Sequence, residues 1–253
     1  MVYDLQKANL WKRFAAWLFD SILVGILVVG IAFLLSLALN YNQYSDAVLD
    51  GYASYEAKYG ISFDVTPEEY ESWDEAQRKS YDSAYEELIK DEQITYAYNM
   101  VVNLTMMITS LSVLVAVLVL EFIVPLIFKN GQTLGKKIFG LCVVSSDCVK
   151  MSNVQLFVRT ILGKFAVETM IPIYILLMLF WGITGLPGTI VLGALVLIEV
   201  IALNATQRKA AIHDLLASTA VADYNSQMIF NSREDLIEFQ KKVHAERAAR
   251  QEY

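Results

Sequence analysis

Four stretches of this chain are too apolar and too long for an ordinary soluble domain, and they constrain every other reading. A helix needs about 20 mostly apolar residues to cross the ~30 Å hydrocarbon core, at about 1.5 Å of rise per residue. The first stretch runs from about Phe14 to Leu39 and the second from about Tyr98 to Phe128. The third and fourth share the run from Phe165 to Asn204. Gly185, Leu186, Pro187 and Gly188 supply a turn in that run, giving spans of about 166–184 and 187–204. A single long third helix is the rival. The composition agrees, with 56% hydrophobic and 19% charged residues, against about 45–50% and 25% in soluble domains. The predicted fold class is an all-α membrane protein with four transmembrane helices.

Charge sets the orientation. Lys and Arg are enriched in cytoplasmic loops. Lys7, Lys12 and Arg13 precede the first span, and Lys129, Lys136, Lys137, Lys150, Arg159 and Lys164 lie between spans two and three. Seven more bases, from Arg208 to Arg250, follow span four. The segment 41–95 is the opposite, with fourteen acids against four bases. Both termini are therefore expected in the cytoplasm and the 41–95 insert outside. The expected organisation is 1–40 cytoplasmic N-terminus and first span, 41–95 acidic extracytoplasmic helical insert, and 96–128 second span. Then follow 129–165 as a basic cytoplasmic loop with an amphipathic interfacial helix, 166–204 as spans three and four, and 205–253 as a cytoplasmic tail with a charged helix. The first span is too long for a signal-peptide core and no small-residue cleavage site follows it, so it should stay attached. The sequence pI of about 4.9 speaks against nucleic acid, which selects a basic face.

The soluble parts carry local signals. Thr66-Pro67-Glu68-Glu69 opens a helix, and Tyr70, Trp73, Gln77, Tyr81, Ala84, Tyr85 and Leu88 then form one aromatic stripe. With a shorter helix from about Ser45 to Tyr59, it would make a hairpin. Its tyrosines can pack on the hairpin itself or present a face to an envelope protein. Inside, Gly131 to Gly140 suits a short helix at the membrane surface, and Leu141 to Val144 reads as a short strand. Thr219 to Ala222 is a candidate strand to pair with it. Ser152 with Gln155 resembles a capping box that opens a helix toward span three. Cys142 and Cys148 fall in the cytoplasmic loop and are read as reduced thiols.

Four acids fall where lipid should be: Asp20, Glu121, Glu168 and Glu199. Such residues are functional candidates by default. Measured from Lys12, Lys129 and Arg208 at about 1.5 Å per residue, Asp20, Glu121 and Glu199 each lie about 12–13 Å from the cytoplasmic edge. Glu168, four residues past Lys164, lies about 6 Å in. One acid from each span thus occupies the inner half of the membrane. Like charges raise each other's pKa, so protons, a cation or neighbouring bases must compensate. One reading is an ion- or proton-binding site, with a monovalent cation at Asp20, Glu121 and Glu199. The other is a salt-bridge network that pins the helices, drawing on Arg13, Arg159 and Lys164. His213 beside Asp214 can relay protons or make an interfacial hydrogen bond. No metal-ligand spacing, cofactor fingerprint or nucleophile-and-base pattern appears, so no enzyme and no cofactor is expected.

Three blocks carry a family resemblance. Trp11-Lys12-Arg13-Phe14-Ala15-Ala16-Trp17-Leu18-Phe19-Asp20 opens the first span, and Gly131-Gln132-Thr133-Leu134-Gly135-Lys136-Lys137-Ile138-Phe139-Gly140 opens the inner loop. Gln207-Arg208-Lys209-Ala210-Ala211-Ile212-His213-Asp214 follows the last span. In order and spacing the blocks resemble the RDD family of bacterial integral membrane proteins, named for one Arg and two Asp. By position these are Arg13, Asp20 and Asp214. The long insert departs from the common pattern, as does Ser218, which stands where a Gly is usual. The resemblance implies a multi-pass protein of the bacterial inner membrane and a transport role, with cation/proton antiport suggested for some members.

The expected function is a small transporter exchanging a monovalent cation, such as sodium, for protons. Asp20 and Glu121 would be primary carriers, Glu199 would complete the site, and Arg13, His213 and Asp214 would gate it. Four spans are few, so a homo-oligomer is expected. The alternative is a non-transporting adaptor whose tyrosine-rich insert binds a partner.

Overall fold

A computed structural model describes residues 5–128, 130–206 and 209–251, with side chains through 249. Lys129, Gln207 and Arg208, two of them used above to gauge depth, lie outside the described residues. In chain order the elements are α1 (Leu10–Ala38), α2 (Tyr41–Tyr59), α3 (Pro67–Ser72), α4 (Glu75–Lys90), α5 (Glu92–Phe128) and α6 (Leu134–Ile138). There follow β1 (Leu141–Ser145), α7 (Asn153–Phe180), α8 (Gly185–Ala205), α9 (Ile212–Leu216), β2 (Thr219–Asp223) and α10 (Arg233–Gln251).

Helices α1, α5, α7 and α8 are each long and apolar enough to cross a membrane. Their apolar side chains point outward: Trp17, Val29, Phe33, Ile190 and Val196 are all more than half exposed. Water would not tolerate that surface, whereas hydrocarbon solvates it. The protein is an all-α membrane protein with a two-stranded sheet attached.

The spans differ from expectation in two places. Gly185–Gly188 is not the turn between spans three and four, because these residues form the first turn of α8. Pro187 fits there, since the first N–H groups of a helix have no intrahelical acceptor. The turn lies at 181–184, where Gly182 takes a left-handed φ of 69°. Helix α7 also begins earlier than 166, running without a break from its Ser152–Gln155 capping box.

The chain forms two compact units, Met1–Val28 with Val113–Tyr253, and Val29–Ser112. In the second unit, α2 ends at Gly60, whose left-handed φ of 65° lets its N–H reach the Glu56 carbonyl. The expected long helix after Thr66 is broken. Thr66 and Glu69 form one capping box, and Asp74 and Gln77 form a second that starts α4 afresh. Trp73 is extended at the break. The aromatic stripe folds on itself: Tyr81 sits 5.6 Å from Phe63 and 5.5 Å from both Tyr70 and Trp73, ring centre to ring centre.

In the first unit, β1 and β2 pair antiparallel, with Val143 opposite Val221 and Ser145 opposite Thr219. Alternation puts Cys142, Val144 and Ala222 on one face, against Leu5 and Ile229. Leu141 faces the other way, onto Ala8 and Ala16. The sheet therefore ties the loop before α7 to the segment after α8.

Two stretches are wound as π-helix, Leu118–Ile123 in α5 and Val158–Met170 in α7. The Val124 N–H bonds the Val119 carbonyl, and the Ile171 N–H bonds the Ala166 carbonyl. Each stretch ends just before a proline, Pro125 or Pro172. A proline removes the donor that would reach four residues back. For Pro125 that acceptor is the Glu121 carbonyl, and the Thr160 hydroxyl donates to it instead, at 3.1 Å.

Candidate functional site

Buried charge concentrates where α1, α5, α6, α7, α8 and α9 meet within the first unit. Asp20 is buried on the same face of α1 as Ala16. Its two carboxylate oxygens accept from the Thr133 hydroxyl at 2.5 Å and the Gly135 N–H at 2.7 Å, while the Lys136 Nζ stands 3.9 Å away. The fit depends on Gly135. A Cβ there would collide with the Ala16 carbonyl and the Asp20 carboxylate. Helix α6 is thus docked on α1, with Lys136 buried and donating to the Thr133 Oγ1 at 3.1 Å. Burial pushes the Lys136 ammonium down to about 8, against the pull of Glu121 and Asp20.

Glu121 is buried and pairs with Lys164 at 2.7 Å. Its second oxygen has no hydrogen-bond partner among the described residues. Asp214 is fully buried on α9. It accepts from the Arg159 Nε at 2.9 Å and the Thr219 hydroxyl at 3.0 Å, and Arg13 lies 3.6 Å from its other oxygen. Burial acts to raise the Asp214 pKa, but Arg159, His213 and Arg13 hold it well below the usual carboxylate range. Arg13 also donates to the Lys209 carbonyl, tying α1 to the segment after α8.

His213 bridges two charges. Its Nε2 is 2.9 Å from the Arg159 Nη2, and its Nδ1 is 2.8 Å from both oxygens of Glu168. Its backbone N–H donates to Glu168 as well, at 2.8 Å. Burial lowers the His213 pKa from its ordinary value, with Asp214 pulling the other way. Gly163 makes room for this contact, because a Cβ there would come within 2.5 Å of the His213 Cβ. Glu199, on α8, accepts the Ile212 N–H at 3.2 Å, and no base among the described residues reaches it within 4 Å.

The family model of the RDD family matches residues 7–218. The chain belongs to the RDD family. No curated protein and no solved structure matches it. The family's naming residues can now be placed in this RDD protein. Arg13 and Asp214 face each other, and Asp20 anchors the glycine-containing α6.

The four acids expected from sequence in the inner half of the membrane lie in one network of contacts, with bases and backbone donors between them. Lys136, facing both Asp20 and Glu121, is the link between two of them. No group of three or more His, Cys, Asp and Glu placed to hold a metal ion occurs among the described residues. Thr133, Gly135, Lys136 and Gly163 complete the site without having been singled out from sequence. The first three stand in the Gly131–Gly140 block, which was a signal. Gly163 left none. Cys142 has no part in this chemistry: burial pushes its thiol up to about 12.

A cavity of about 700 Å³ opens onto the network. Phe14 and Trp17 of α1 and Val196, Val200 and Leu203 of α8 wall it, and its charged lining is Glu168, Glu199 and His213 with the bases Arg13, Lys136, Arg159 and Lys164.

Proposed function

We propose that this RDD protein is a small multi-pass transporter of the bacterial inner membrane that exchanges a monovalent cation for protons. One observation carries the reading. Four bases, Arg13, Lys136, Arg159 and Lys164, counted as cations at pH 7, face five carboxylates, Asp20, Glu121, Glu168, Glu199 and Asp214. With His213 neutral, one negative charge is left without a fixed partner. Inside a span that charge calls for a proton or a mobile cation. Among the described residues Glu199 is the carboxylate with no base within 4 Å, so the exchanging unit is Glu199 with the adjoining Glu168–His213 pair. Asp20, held by fixed donors at both oxygens, and Glu121, held by Lys164 at one, were the first candidates from sequence and act as anchors. Arg13 with Asp214 locks α1 to α9 from the side of the termini, which the basic loops assign to the cytoplasm.

The test uses purified protein in sealed vesicles holding a pH dye. A pulse of a monovalent salt, sodium first, should drive proton movement that Glu199→Gln abolishes. Movement at the wild-type level in Glu199→Gln would overturn the assignment. A homo-oligomer suits so few spans.

The adaptor reading draws on a different observation, the fixed pairing of the other four carboxylates. In that case the network only holds the bundle, and the 41–95 insert meets an envelope partner. Deleting 45–92 separates the two: a transporter keeps its flux, and an adaptor loses its phenotype.

A further inference from the structure

The cavity is far larger than a bare metal cation requires, and much of its wall is apolar. Hard cations are held by about six to eight oxygens at contact distance. Here Phe14, Trp17, Val196, Val200 and Leu203 supply hydrocarbon and aromatic surface. A volume of about 700 Å³ falls in the range of pockets for organic ligands, which are mostly apolar with a few convergent polar groups (roughly 300–1,000 Å³).

Charge decides what sort of organic ligand. Four bases line or approach the cavity, but each is engaged. Arg13 and Arg159 share Asp214, Lys164 holds Glu121, and Lys136 stands by Asp20. An anionic headgroup would have to compete with these carboxylates for the bases, and the Asp214 and Glu121 pairs are buried ones that are costly to break. A cationic group breaks nothing, because Glu199 has no base within 4 Å among the described residues. The charged groups that act on Glu199 from the surrounding elements are Glu168 on α7, Asp214 on α9 and Arg13 on α1. The walls also favour a cation. The rings of Phe14 and Trp17 lie 5.7 Å apart on one side of the cavity, and an aromatic face attracts a desolvated cation.

We infer that the cavity between α1 and α8 binds a lipophilic organic cation, an amine, quaternary ammonium or phosphonium with an apolar body, seated with its charge at Glu199 and its body against Trp17 and Phe14. The inference rests on the exchange reading above and names its substrate class. Such a cation and a proton compete for one carboxylate, so occupancy by one excludes the other.

The probe is radiolabelled tetraphenylphosphonium, with tetraphenylborate as a size-matched anion, binding to the purified full-length protein in detergent. Saturable phosphonium binding is expected, with no saturable borate binding. Glu199→Gln should weaken it by about thirtyfold or more, as loss of a buried charge partner does. Leu203→Trp should exclude the probe by filling the cavity while leaving Glu199 in place. Thermal melting of both variants checks that each is folded. Absence of saturable phosphonium binding, equal binding by Glu199→Gln, or preference for borate overturns the inference. Glu199-dependent proton movement driven by sodium, without phosphonium binding, leaves the exchange reading standing and removes the organic substrate. If no monovalent cation, phosphonium included, drives Glu199-dependent proton movement, the exchange reading fails as well.

Discussion

Arg159 approaches the His213 Nε2 to 2.9 Å, and a guanidinium can only donate. The His213 Nε2 therefore carries a lone pair, the proton sits on Nδ1, and the imidazole donates to Glu168 at 2.8 Å. A second proton on this ring would point at Arg159 and break the contact. His213 is thus built as a neutral link between a cation and an anion, and its protonation opens the network at α9.

That geometry has a pH signature. Burial lowers the His213 pKa in the folded protein below its ordinary 6.5. Between the lowered value and 6.5 the unfolded chain holds a proton that the folded chain does not. Stability is full above 6.5 and falls as the pH drops through that window, by at most about 1.4 kcal/mol per pH unit for one proton. Thermal melting in detergent from pH 7.5 to 5 should show the fall. His213→Gln should flatten it, and an unchanged slope in that variant would show that another group titrates.

Asp214 is the most consequential carboxylate to neutralise. It faces both Arg159 and Arg13 and is fully buried. Removing one partner of a buried pair strands the other, at about 3–5 kcal/mol. Asp214→Asn should melt well below the wild type, and Arg159→Met in the same chain should restore part of the loss. A single variant that melts like the wild type would mean that Arg159 and Arg13 have other partners.

Gly163 should tolerate no side chain. Its missing Cβ is where the His213 Cβ packs, at 2.5 Å. Gly163→Ala must push α9 off α7, with a loss of about 1–3 kcal/mol typical of overpacking. Because both His213 contacts lengthen, proton movement in vesicles should drop even at temperatures where the variant remains folded. Normal flux in folded Gly163→Ala would separate His213 from the exchange step.

What could be seen in the sequence follows from the range of each signal. Hydropathy over twenty residues marks the spans, and Thr66 with Glu69 or Ser152 with Gln155 marks a helix start within four residues. The pairing of Leu141–Val144 with Thr219–Ala222 was open only as a possibility, from two short β-prone runs. The break at Trp73–Asp74 was hidden by an aromatic stripe that keeps its helical spacing across the gap. The turn after α7 was misplaced because Gly185, Pro187 and Gly188 suit the first turn of a helix as well as a loop. Depth along each span put the four acids in one region. Only tertiary contacts could show that Asp20 answers to Thr133 and Gly135, that Glu121 answers to Lys164, and that Glu199 answers to no base among the described residues.

Lys136 yields a prediction that runs against its family motif. It is buried beside Asp20, yet burial outweighs the nearby carboxylates and its pKa falls from 10.5 to about 8. Below pH 8 both folded and unfolded chains hold the proton, and the folded chain bears the cost of a buried charge. Between pH 8 and 10.5 the unfolded chain binds more protons, so the Lys136 contribution to stability rises with pH, by about 3 kcal/mol in all. Lys136→Met should therefore melt higher than the wild type at pH 7, with the gap closing by pH 10. Asp20 retains the Thr133 and Gly135 donors in that variant. If Lys136→Met instead melts lower at pH 7, the ammonium is a net support of the fold, and its place in the motif is explained by stability alone. If it melts higher but loses proton movement, the protein has kept a destabilising charge for its function.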